Sequence, residues 1–100
     1  MMPLLHVAFQ EGFDGDTVVV RVNGKEIFRK DNVKTRLQIG YADSFENNFN
    51  KGPATVDIVL PSKSLSETVQ LQLAAPTYIG VSIQQDKINC RISDQPFGYV

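Results

Sequence analysis

Thr17-Val18-Val19-Val20-Arg21-Val22-Asn23-Gly24-Lys25-Glu26-Ile27-Phe28-Arg29-Lys30 is the stretch that decides the fold. Asn23-Gly24 is a hairpin signal, because both central residues of a type I′ turn need positive φ, which Asn and Gly tolerate best. The flanks are rich in β-branched residues, which suit a pleated, half-buried surface. A two-residue loop pairs Val22 with Lys25, Arg21 with Glu26, Val20 with Ile27 and Val19 with Phe28. That register puts Val18, Val20, Val22 and Ile27 on one face. Val19 and Phe28 fall on the other, beside Arg21.

The same period of two continues outward from the hairpin. Upstream, Leu5, Val7 and Phe9 share a face opposite Leu4, His6 and Ala8, and Glu11 to Asp16 supplies turn residues. Downstream, Thr35, Leu37, Ile39 and Tyr41 alternate with polar residues and glycine, which predicts a strand. Ala54 to Leu60, Leu65 to Leu73, Tyr78 to Gln84 and Ile88 to Ile92 alternate as well, with breaks at Pro61–Ser64 and Gln85-Asp86. No window carries an apolar stripe of helical length. The expectation is an all-β chain: an antiparallel two-sheet sandwich of about eight short strands, immunoglobulin-like or jelly-roll. A small barrel is the second architecture.

Composition agrees. Leu, Ile, Val and Phe account for 31 of 100 residues, enough to bury a core, while Val, Ile and Thr number 23 against 5 Ala. Residues 1–100 read as a single domain, without linker, repeat or low-complexity tract. The net charge is −1, which gives no electrostatic reason to expect nucleic acid or an anionic membrane. Residues 21–36 hold a local excess of positive charge, balanced in part by Glu26 and Asp31. Cys90 is the only cysteine, so no internal disulfide forms. With no signal peptide legible at Met1–His6 and no apolar run long enough for a membrane span, a cytoplasmic location is expected.

Parts for catalysis are few. A Cys90–His6 pair is the one conventional nucleophile and base, and strand parity sets the two in different environments. No enzyme activity and no cofactor are expected. Asp14 and Asp16, on a glycine-flexed turn, form a candidate calcium pair, with a plain solvated turn as the alternative.

The longest connection runs from Asp43 to Pro53 and interleaves Phe45 and Phe49 with Asn47, Asn48 and Asn50. Rings stack on apolar ligand faces and amides exchange hydrogen bonds, so the 43–53 loop is the candidate ligand site. Its ligand would be carbohydrate or peptide. Inward-folded rings anchoring the loop are the alternative. A second function is self-association through an outward apolar patch at Val19 and Phe28, with Arg21 beside it. The expected function is therefore a non-catalytic surface-recognition module, or else a homo-oligomeric interaction or assembly protein. A small ligand and a homodimer are the candidate partners. The terminal Phe97 and Tyr99 are expected to dock on the domain.

Overall fold

The computed structural model describes residues 2–97. Eight strands are formed: β1 (Leu4–Phe9), β2 (Asp14–Val22), β3 (Lys25–Lys34), β4 (Asp43–Asn48), β5 (Gly52–Leu60), β6 (Leu65–Leu73), β7 (Thr77–Gln84) and β8 (Lys87–Ser93). A 3-10 turn, Pro61–Lys63, joins β5 to β6. The strands build two four-stranded sheets, ordered β4-β1-β7-β8 and β3-β2-β5-β6. The sheets pack face to face as an all-β sandwich and do not close into a barrel. One pair departs from the expected antiparallel pattern: β1 runs parallel to β7, with Val7 opposite Ile79. No helix among the described residues is long and apolar enough to cross a membrane.

Alternation explains the core. Leu5, Val7 and Phe9 of β1, Val18, Val20 and Val22 of β2, Val56, Ile58 and Leu60 of β5, and Ile79 and Val81 of β7 turn inward and are buried together. Ala8 and Val19 point to the outer faces and are still buried, because each sits on a central strand between flanking neighbours.

Three expectations need correction. The hairpin keeps Val22 opposite Lys25 and Arg21 opposite Glu26, and Asn23 and Gly24 both have positive φ, 52° and 82°. Beyond that a bulge at Ile27 inserts one residue, so Val20 faces Phe28 and Val19 faces Arg29. A one-residue slip exchanges the faces of a strand, and Phe28 therefore turns toward the core. A second irregularity follows near Asn32, which adopts φ 58°.

Residues 35–41 are not a strand. Leu37–Gly40 form a turn closed by a bridge between Arg36 and Tyr41, with the Arg36 amide donating to the Tyr41 carbonyl at 2.8 Å. Leu37, expected within a strand, is 93% exposed.

The Asp43–Pro53 segment is mostly not a loop. Residues 43–48 are the edge strand β4, antiparallel to β1. Polar residues survive there because its outer face meets solvent and its partner supplies the backbone ladder.

Candidate functional site

The outer face of the β3-β2-β5-β6 sheet carries a polar lattice beside the apolar pair Val19 and Val59. The register sets Glu26, Arg21, Asp57 and Thr68 in one row across the four strands. Arg29 pairs with Glu26 at 2.9 Å, Thr17 donates to Asp31 at 2.9 Å and Thr68 donates to Asp57 at 2.7 Å.

The outer face of the β4-β1-β7-β8 sheet is different. Register places Glu46, His6, Tyr78 and Ser93 in one row and Ser44, Ala8, Gly80 and Arg91 in the next. Small residues at the centre of the second row lower the surface between taller neighbours. Two hollows result.

The first, of about 360 Å³, is lined by polar groups that include Gln10, Ser82, Gln84, Asn89 and Arg91. Its floor depends on Gly80. A Cβ there would lie 2.8 Å from Gln10 Oε1, so glycine is what lets the Gln10 amide lie flat across β7. The backbone holds Gln10 in place, its amide donating to the Val81 carbonyl at 2.7 Å. Asn89 Nδ2 donates to Gln84 Oε1 at 3.2 Å, and the two amides brace each other.

The second hollow, of about 400 Å³, has an aromatic wall of His6, Tyr41, Tyr78 and Phe97, with Ser44, Glu46 and Pro96 at its margin. The rings are held in place. His6 donates from Nδ1 to Glu46 Oε2 at 3.0 Å and leans on Tyr78 with ring centroids 5.6 Å apart. The hydroxyls of Tyr41 and Ser44 hydrogen-bond at 2.8 Å. The Arg91 guanidinium sits 4.7 Å from the centre of the Phe97 ring, so Arg91 lines the first hollow while its stacking partner lines the second.

The residues singled out in the sequence are not gathered at this site. Phe45 turns inward and stacks on Phe28 and Phe9, and Phe49 packs against the core. Asn47 and Asn48 end β4, where the Asn48 side chain donates to the Met2 carbonyl at 2.9 Å, and Asn50 is exposed in the short link to β5. The strand was relevant on its other face, through Ser44 and Glu46. Val19 is 1% exposed, and Phe28 is half-buried with its ring in the aromatic stack. Arg21 stands in the polar lattice described above, between Glu26 and Asp57.

Asp14 and Asp16 do not form an open pair of acids. Asp16 accepts from Lys63 Nζ at 2.6 Å, from Ser62 at 3.0 Å and from the Asp14 amide at 2.9 Å. Burial pushes its carboxyl upward, but these partners outweigh burial and hold it below the usual carboxylate value. Among the described residues no group of three or more His, Cys, Asp or Glu side chains is placed to share a metal ion. Cys90 and His6 sit on opposite faces of their sheet, and burial, followed by the nearby Glu67 carboxylate, pushes the Cys90 thiol up to about 11. Phe97 does dock on the domain, through Arg91; Tyr99 lies outside the described residues.

Compared with known proteins, the chain matches no protein family, no curated protein and no solved structure.

Proposed function

We propose that this domain is a non-catalytic carbohydrate-recognition module that binds through the outer face of the β4-β1-β7-β8 sheet. One observation carries the reading: an aromatic hollow and an amide-lined hollow adjoin on one face, with Arg91 and Phe97 between them. Sugars present C–H faces that pack on rings and hydroxyl edges that exchange hydrogen bonds with amides. His6, Tyr41, Tyr78 and Phe97 match the first need, and Gln10, Ser82, Gln84 and Asn89 the second. Peptides are held by apolar pockets or by pairing with a sheet edge. The hollows lie on a sheet face and one is lined mainly by polar groups, so a hydroxylated ligand fits them better.

Titration calorimetry of the wild type against a panel of neutral and acidic oligosaccharides tests the reading. Tyr78→Ala and Phe97→Ala, checked for an unchanged fold by circular dichroism, are each expected to weaken binding about tenfold through lost ring contact. Absence of binding across the panel, or full affinity in both variants, would refute it.

A further inference from the structure

We infer that the saccharide taken by this face carries carboxylate groups, as a uronic-acid chain does, and that Arg91 is the residue that reads them. The inference rests on the carbohydrate reading above and narrows it.

Arg91 lies opposite Gly80 in the ladder and stands over the lowered centre of the sheet. Its guanidinium is stacked on Phe97 at 4.7 Å. A stacked guanidinium has a fixed plane and keeps its in-plane N–H groups directed outward, in a fork that matches the two oxygens of a carboxylate. Arg29, Lys30 and Lys63 each pair with a carboxylate, from Glu26, Asp43 and Asp16 respectively. Arg91 makes no ion pair among the described residues.

Of the acids nearby, Glu46 is held by His6. Glu11 also lines the first hollow, with its Oε1 on the side of the 37–40 turn, 3.4 Å from where a Cβ on Gly40 would lie. Lys87, opposite Gln84 on the same face, adds positive charge. A neutral sugar laid across both hollows would strip water from the Arg91 charge and return no counter-charge, which is costly. A sugar acid supplies that counter-charge. Its ring would rest on the aromatic wall, its carboxylate would meet Arg91, and its hydroxyls would face the polar lining of the first hollow, Asn89 and Gln84 among it.

The test is binding of the full chain to polygalacturonate, alginate and glucuronan oligomers, set beside neutral galactan, mannan and cellulose oligomers. At least one acidic chain is expected to bind about tenfold or more tighter than every neutral chain. Arg91→Gln should remove that preference, and added salt should weaken the acidic ligand alone. The salt series needs no variant, so it decides the acid preference even if Arg91→Gln folds poorly, and the same preference retained in a folded Arg91→Gln would overturn the role of Arg91. Neutral chains bound as tightly as acidic ones would overturn the acid specificity while leaving the carbohydrate reading standing. Binding of no chain at all would overturn both.

Discussion

Phe28 of β3 and Phe45 of β4 lie face to face, their ring centroids 4.5 Å apart and their planes 10° from parallel. The two strands belong to different sheets, so the stack closes one open side of the sandwich. Phe9 extends it into the core, 5.6 Å from Phe28 and 6.2 Å from Phe45. Lys30 and Asp43 form an ion pair between the same two strands. Large-to-small changes at such a position remove packing and leave a void. Phe45→Ala should therefore cost about 2–3 kcal/mol in urea unfolding, less than for a fully buried ring, and leave ligand affinity unchanged in the folded fraction. Loss of binding with unchanged stability would restore the 43–53 segment as the ligand site.

Thr35 is a latch for the link between the first two strands. Its hydroxyl donates to the Gln10 carbonyl at 2.6 Å and accepts from the Phe13 amide at 3.0 Å. Val has the same shape without the hydroxyl. Thr35→Val should lower stability by about 1–3 kcal/mol, because the Phe13 amide is left buried without its partner. Hydrogen exchange at Phe13 should quicken in step; an unaltered unfolding midpoint would show that the latch contributes nothing.

Stability should fall with acid. Burial raises the carboxyls of Asp16 and Asp43, but the hydrogen bonds to each win and hold both below their ordinary values: Lys63, the Asp14 amide and Ser62 on Asp16, and Lys30 and the Ser44 amide on Asp43. The unfolded chain takes up these protons at a higher pH than the folded one does. The stabilisation is thus complete above the usual carboxylate range and drains as pH falls through the folded-state values. Urea unfolding followed from about pH 6 down to about pH 3 should show this loss, and Asp16→Asn should flatten the curve. Lys63→Met, which leaves the Asp16 carboxylate without its cation, should cost about 1.5–3 kcal/mol at neutral pH.

Gly80→Ala separates folding from binding. The added Cβ meets the far end of the Gln10 side chain, 2.8 Å from Oε1, and not backbone, so that amide must shift. Stability should change by less than about 1 kcal/mol, while the displaced amide reshapes the first hollow and weakens saccharide binding. Equal affinity for wild type and Gly80→Ala would show that the first hollow takes no part.

The fold was legible where local chemistry and pairing agree. Asn23-Gly24 fixed its own turn, and the alternation of β5 through β8 marked both strand and inward face. The bulge at Ile27 left no local sign, since a β-branched residue fits a regular strand as well as a bulged one, and its effect was to turn Phe28 inward. Leu37, Ile39 and Tyr41 alternate as a strand does, but Gly40 takes φ 63° and the chain turns back on itself there. Asp43–Asn48 carries turn-forming residues, yet pairing with β1 makes it a strand, an outcome set by tertiary contact rather than propensity. The site was the least legible part. His6, Tyr41, Tyr78, Arg91 and Phe97 come from distant positions and meet only through sheet order, including a parallel pair that no spacing announces. One local sign was present: Gly80 in the middle of a strand marks a close approach.

The most direct measurement is an amide chemical-shift map of the uniformly labelled protein titrated with a carboxylated oligosaccharide. Saturable shifts should cluster at His6, Ala8, Tyr78, Gly80, Asn89 and Arg91, while Arg21, Arg29, Asp57 and Thr68 on the opposite sheet stay still. Shifts centred on that opposite sheet, or a spectrum that no saccharide moves, would contradict the assignment of the β4-β1-β7-β8 face as the recognition surface.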